Sequence, residues 1–246
     1  MFSFLTRKYS LADLGYTTDI HSHILPGVDD GIKDVQTASE VLSMMYSMGV
    51  KRFVFTPHIY PELYPANSSG PLKAKFESVS SVASGIGADC FLAGEHMIYQ
   101  GIDFTDAEVL PLPGNLVLIE MSYAFSSPNL RYAIFQLRSL GYIPVLAHPE
   151  RYAYFSRSLS EVKALSQLDC RFQLNLLSLG GFYGKAAQEK AQKILSEGYY
   201  SYAGSDLHAL SQVSQLKSLQ IEKKYALQLK RIFEENTRLY LNLSSL

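Results

Sequence analysis

Seven short runs rich in β-branched and aromatic residues, at 17–20, 52–56, 90–93, 116–119, 143–147, 171–176 and 199–203, alternate with stretches of helical periodicity. A strand, a helix and another strand in repeated succession require a parallel sheet with right-handed crossovers, because a parallel neighbour is reached only by a long connection that packs back on the sheet. Seven such units in 246 residues predict an α/β fold closed into a distorted (β/α)7 TIM-like barrel rather than an open sheet. No Gly/Ser linker, charge block or low-complexity segment divides the chain, so one domain over 1–246 is expected, with 1–15 as an N-terminal extension. Asp34 is placed to cap a helix over 35–48, 130–140 stops at Gly141, and Ser158 or Ser160 can cap a helix running to about Leu168. A helix over 185–196 stops before Gly198, and the apolar spacing of about 222–241 predicts a terminal helix covering the core.

Composition narrows the function classes. Lys and Arg number 22 against 23 Asp and Glu, so there is neither a basic field to gather nucleic acid nor an acidic tail, and a nuclease is disfavoured. Two cysteines, Cys90 and Cys170, are too few for a disulfide framework and fit buried thiols in a reducing compartment. No run approaches the roughly 20 apolar residues of a membrane span, and a cytoplasmic protein without stable membrane insertion is expected. Phe2, Phe4 and Leu5 offer weak surface contact with a membrane, with plain terminal packing or disorder as the preferred alternative.

The residues at or just after the expected strand ends are His21, His58, Glu95, Glu120, His148, Asn175 and Asp206. In a barrel those ends converge on one face, where the active site is built. In DIHSHILPGVDDG, His21 and His23 are two apart at a strand end, so both imidazoles point one way and can grip one ion, with Asp29 and Asp30 in a turn that can return a carboxylate. His58 follows Pro57 at the end of an apolar strand; alone it reads as an ordinary loop residue. Glu95 is a candidate bridge between ions, while His96, its neighbour, should face away and serve a supporting or structural role. Glu120 ends a wholly apolar strand and needs a partner, a salt bridge being the bland one. In HPER, Arg151 follows His148 and suits a bidentate grip on phosphate, the rival being an ion pair with Glu150 or another acid. Asp206 and His208 repeat the alternating pair on the last strand, which in a closed barrel lies beside the first.

These motifs, with TPH, AGEH, IEMS, GYIPVLAHPERY, NLLSLGGFYGK and GSDLH, make the chain resemble the polymerase and histidinol phosphatase (PHP) superfamily. Within it, the resemblance is to bacterial manganese-dependent tyrosine-protein phosphatases of capsule and exopolysaccharide operons, the CpsB/CapC/YwqE type. It covers roughly residues 16–210. The resemblance implies up to three divalent ions, most readily Mn2+ with Fe, Zn, Mg or Co as alternatives. Their ligands would be His21, His23, Asp30, His58, Glu95, Glu120, His148, Asp206 and His208. It further implies that Arg151 contacts the substrate phosphate and that the substrate is the tyrosine-rich tail of a bacterial tyrosine kinase regulating polysaccharide export. The expected chemistry is in-line attack by metal-activated hydroxide without a phosphoenzyme, with His208 as a candidate proton donor. Neither cysteine has an Arg six residues later, which independently excludes a cysteine-nucleophile loop. Tyr123, Phe125, Tyr152, Tyr154, Phe155 and Tyr183 are candidate walls for a phosphotyrosine ring, ordinary packing being the alternative.

The sequence departs from that family where relatives carry an arginine after SD-x-H: residues 209–213 hold none and the nearest base is Lys217. Helix 35–48 also lacks the charge pattern by which relatives form rings, so an oligomer is left open. Two rivals follow: a small-molecule phosphomonoesterase acting on a compound such as histidinol phosphate, and a poorly catalytic metal-binding regulatory partner.

Overall fold

The computed structural model of the chain describes residues 7–242; the expectation for Phe2, Phe4 and Leu5 lies outside them. The elements run β1 (Lys8–Tyr9), β2 (Thr18–Asp19), α1 (Val35–Ser47), β3 (Arg52–Phe55), β4 (His58–Ile59), α2 (Ser69–Gly85), β5 (Asp89–Leu92) and β6 (Glu95–Met97). They continue with β7 (Leu116–Glu120), α3 (Leu130–Ser139), β8 (Ile143–Ala147), α4 (Ser160–Ser166), β9 (Arg171–Asn175), α5 (Leu176–Leu179), α6 (Lys185–Ser196), β10 (Tyr202–Gly204), α7 (Leu210–Ser218), β11 (Ile221–Glu222) and α8 (Lys223–Leu241). The fold is mixed α/β.

All seven expected runs contain strand, but they belong to separate sheets. One is six-stranded, in the order β10-β9-β8-β7-β6-β4, one is three-stranded, β2-β3-β5, and β1 pairs with β11. Every pairing in the two larger sheets is parallel. The split arises because two runs are interrupted, at Thr56 and Pro57 and at Ala93 and Gly94. Backbone bonds carry on across the breaks: Thr56 N donates to Ser22 O (2.8 Å), Ala93 N to Phe55 O (2.9 Å) and Glu95 N to Pro57 O (3.0 Å). On the far side, His23 N donates to Leu207 O (3.0 Å) and Asp206 N to His21 O (2.8 Å), tying the first strand run to the last. Gly204 permits this approach, since a Cβ there would lie 2.6 Å from the His21 Cβ. Gly94 is likewise pressed against Ile59, at 2.5 Å from where a Cβ would sit.

Strand alternation sorts the side chains. Ile20, Val54, Leu116, Leu118, Val145, Ala147 and Tyr202 form an inner apolar cluster that Leu239 and Tyr240 of α8 also join. Their alternates Phe53, Phe55, Val117, Ile119 and Leu146 belong to the larger core shared with the helices. Glu120, two residues beyond Leu118, continues the inner face of β7, which is how an acidic side chain comes to lie above a dry floor.

Asp34 caps α1 as expected, accepting from Thr37 N at 2.8 Å. The α4 expectation needs correction: Leu159 occupies the cap position with a left-handed backbone, while Ser158 hydrogen-bonds to Ser156 and Ser160 instead. The last strand is shorter than expected, and α2 and α7 were unforeseen, Gly70, Pro71 and a serine-rich interior masking α2. No helix among the described residues is long and apolar enough to cross a membrane.

Candidate metal centre

His21, His23, Glu95, His148 and Asp206 are 0–1% exposed, and Glu120 is 2% exposed, so six polar side chains share one buried volume. Their orientation is set from behind. His21 Nδ1 lies 2.9 Å from Gln173 Oε1, and the Gln173 amide is fixed because its Nε2 donates to Leu174 O. His23 Nδ1 lies 2.8 Å from Asp29 Oδ2, and His208 Nδ1 lies 2.9 Å from the Asp206 carbonyl. Each acceptor demands a proton on Nδ1, leaving the Nε2 lone pair turned toward the centre. The His21 and His23 Nε2 atoms stand 3.3 Å apart. Two lone pairs at that separation repel unless a proton or a cation sits between them. Asp29 is thus a support rather than a ligand: Gly31 N and His58 N also donate to it.

The carboxylates face the imidazoles. Glu95 Oε1 lies 3.3 Å from His21 Nε2 and 3.1 Å from His148 Nε2; its Oε2 lies 3.3 Å from His23 Nε2 and 3.2 Å from His58 Nδ1. Glu120 Oε1 is 2.8 Å from His58 Nδ1. Asp206 Oδ1 faces His21 (3.3 Å) and His23 (3.4 Å). Asp30, whose side chain is 61% exposed, closes the open side, 3.2 Å from His58 Nε2 and 3.6 Å from His208 Nε2. All nine residues expected as ligands are therefore brought together, in three overlapping groups: His23, Asp30, His58 and His208; His21, Glu95, His148 and Asp206; His58, Glu95 and Glu120. His58 and Glu95 each belong to two groups.

Four atoms that face one another in this cluster, His58 Nδ1, Glu95 Oε2, Glu120 Oε1 and Asp206 Oδ1, are buried without a properly directed hydrogen-bond partner. Buried polar atoms are nearly always paired, so four orphans in one place mark a site built for something else. His148 (φ 34°) and Asp206 (φ 50°) also hold left-handed backbone conformations, which cost energy in non-glycine residues and gather at functional sites.

The electrostatics agree with a demand for positive charge. Burial disfavours the Glu95 and Asp206 carboxylates, yet His21 and its neighbours outweigh it and hold both far below the usual carboxylate range. Glu120 is pushed up, by burial and by the adjacent Glu95 charge. Burial pulls His58 down, but Glu120, Asp30 and Glu95 dominate and raise it far above the ordinary imidazole value. His208 differs: burial and the nearby His23 take it down to about 4. With its Nδ1 proton committed to a carbonyl, His208 turns the lone pair of Nε2 toward the open side of the cluster.

Arg151 does not pair with Glu150. Its Nη1 donates to Asp206 Oδ2 at 2.5 Å, an oxygen that also accepts from Asn175 Nδ2 at 2.9 Å. The guanidinium is sandwiched between the Tyr123 and Tyr183 rings, 4.4 and 4.0 Å from their centroids. Beside the cluster opens a cleft of about 850 Å3, lined by Tyr123, Phe125, Tyr183 and Arg151 among others. Tyr152, Tyr154 and Phe155 do not line it, contrary to expectation. Tyr152 is fully buried with its OH accepting from Met121 N, Tyr154 OH donates to Ser122 O, and Phe155 is in the core. Tyr60, Tyr64 and Tyr99 take their places, carried by loops whose position only the fold sets. His96 is a strut: its Nδ1 donates to Leu118 O (3.2 Å), its Nε2 accepts from Leu110 N (3.2 Å), and burial lowers it to about 4.

The chain is similar to several known proteins. CapC of Staphylococcus aureus is 29% identical over 228 residues, covering 88% of this chain and 86% of that protein. The tyrosine-protein phosphatase CpsB of Streptococcus pneumoniae is 28% identical, covering 89% of this chain and 96% of its own. A solved structure from work on YwqE of Bacillus subtilis and CpsB of S. pneumoniae, described as unique metal-dependent tyrosine phosphatases, superposes with a TM-score of 0.76 at 24% identity, covering 92% of this chain and 94% of that one. A phosphotriesterase homology protein of Escherichia coli shares the fold alone, at a TM-score of 0.54 and 11% identity, covering 93% of this chain and 99% of that one. Residues 17–242 match the family described as capsular polysaccharide synthesis, CpsB/CapC, and the chain belongs to that family.

Proposed function

We propose that this chain is a metal-dependent protein-tyrosine phosphatase acting on a bacterial tyrosine kinase tail in capsule or exopolysaccharide synthesis. The reading takes the chain as one cytoplasmic domain whose two parallel sheets form a single closed seven-stranded barrel, joined between His21 and Asp206. The observation that carries the chemistry is the set of four orphaned buried atoms in a nest of imidazoles and carboxylates. These donors fit hard to borderline divalent ions, Mn2+ first, in the three overlapping groups described above. Relatives named as tyrosine-protein phosphatases support the substrate.

When bound, such ions supply Lewis-acid stabilisation of phosphoryl oxygens and an activated water. The chain's residues do the rest. Gln173, Asp29 and the Asp206 carbonyl hold three histidine tautomers so that Nε2 faces inward. Arg151, stacked between two tyrosines, keeps its remaining N–H groups at the edge of the cleft, where they can meet phosphate oxygens. Tyr123 and Phe125 give the cleft, of about 850 Å3, an aromatic side for the substrate ring. The departing phenolate, with a conjugate-acid pKa of about 10, is protonated from solvent at the open side.

The test is turnover of a phosphotyrosine peptide with manganese, with a chelator present, and by the His21→Ala variant, beside histidinol phosphate as a second substrate. Manganese-dependent hydrolysis of the peptide, lost on chelation and reduced about 10³-fold or more in the variant, is expected. Activity indifferent to both treatments overturns the reading.

A further inference from the structure

Phosphate recognition in this cleft is short of donors. Of all the residues lining it, Arg151 is the one Lys or Arg, against the acids Asp30, Glu62 and Glu120. Arg151 has moreover given Nη1 to Asp206 and both faces to tyrosine rings. A phosphate group needs several N–H or O–H donors to replace its hydration. Beyond the metal-ligand histidines and any bound ions, a second preset donor can come only from a neutral residue.

Gln212 fits that need. It lines the cleft beside His208 and is 8% exposed. Its Oε1 accepts from His208 N (2.6 Å) and Ala209 N (3.0 Å), an arrangement that closes the first turn of α7. Clamping the oxygen in this way fixes the amide plane, and no partner is seen for Nε2 among the described residues. The end left over is an oriented pair of N–H donors at the wall of the site. A residue whose task was only to close the helix turn would serve equally well as Glu, whose carboxylate also accepts and suits a helix N-terminus better. In a cleft already lined by acids, an amide keeps the same backbone clamp while presenting donors in place of a further negative charge.

We propose that Gln212 is a specificity-determining residue that donates Nε2–H to the phosphate group of the substrate. This rests on the phosphatase reading for its substrate, but not for its measurement. Gln212→Glu keeps both clamp bonds and loses the donors; Gln212→Met loses both without adding charge. For each, and for the wild-type protein with manganese, inorganic phosphate affinity is measured by calorimetry, KM on a phosphotyrosine peptide by turnover, and Tm by thermal unfolding. The expected result is that both variants weaken phosphate binding and raise KM about tenfold, while Tm falls in Gln212→Met alone. Phosphate affinity unchanged in both, weakened in the Glu variant alone through its added charge, or undetectable in the wild-type protein overturns the assignment. A wild-type protein that binds phosphate more tightly than its variants yet hydrolyses no phosphotyrosine sinks the catalytic reading and leaves Gln212 in place as an anion donor.

Discussion

Glu95 and Glu150 are both wholly buried, yet the protein treats them in opposite ways. Glu150 has a complete set of neutral donors: Asn175 N (3.0 Å) and Ser178 Oγ (2.7 Å) on Oε1, and Tyr200 OH (2.8 Å) on Oε2. Asp19 is similar, held by Ser205 N at 2.9 Å, Ser205 Oγ at 2.5 Å and His21 N at 3.3 Å. Glu95 instead faces four imidazoles, and its Oε2 is left without a directed bond. A buried carboxylate ringed by fixed dipoles is a structural element; one left short of donors among convergent lone pairs is waiting for a cation. Burial and charge alone do not separate the two cases. The completeness of hydrogen bonding does.

Substitution at the two glutamates offers the sharpest way to break this contrast. Glu95→Gln should cut phosphotyrosine turnover with manganese by about 10³-fold or more, the equivalent of about 4 kcal/mol of transition-state stabilisation, while leaving the metal-free fold intact. Steady-state kinetics together with circular dichroism of the chelated protein reads both, and a variant that retains near-normal turnover removes the bridging assignment.

A smaller effect is expected at Glu150, on stability rather than chemistry. Glu150→Ala strands the buried Ser178 hydroxyl, the Tyr200 hydroxyl and the Asn175 amide and opens a cavity, for a loss of about 3 kcal/mol by chemical denaturation. A loss below about 1 kcal/mol would show that its donors are satisfied by water once it is gone.

The smallest expected effect probes burial without any hydrogen-bonded ring. Burial pushes the Cys170 thiol up to about 12, from an ordinary value of 9.0. Because the folded pKa is the raised one, stability is fully present below about pH 9 and is lost as pH climbs toward 12, with a slope of up to about 1.4 kcal/mol per unit. Denaturation midpoints from pH 8 to 11 should fall less steeply for Cys170→Ala than for the wild-type protein. Equal slopes in the two proteins sever that link between burial and titration.

Much of the site was legible in the linear chain because the fold imposes a simple rule: what stands at a strand end stands at the site. His21, His58, Glu95, Glu120, His148 and Asp206 could be picked out by position, and His96 could be set aside by strand alternation. The supporting residues obey no such rule. Gln173 is an unremarkable polar residue within a strand, Asp29 differs from Asp30 by a single step, and Gln212 lies on a helix the apolar pattern did not announce. The aromatic wall is only half legible for a related reason: Tyr152 and Tyr123 both follow strands, but one is buried against His148 and the other opens onto the cleft.

What the chain by itself determined, then, is the order of strand and helix and the chemical type placed at each strand end. Period-2 and period-3.6 patterns are local, and local patterns survive in one dimension. What only the tertiary structure decided is which lone pairs converge, which oxygens are left unpaired, and which side of each loop faces the cleft. Those depend on distances between segments far apart in the chain, such as Arg151 to Asp206 or His21 to Gln173, and packing alone sets such distances.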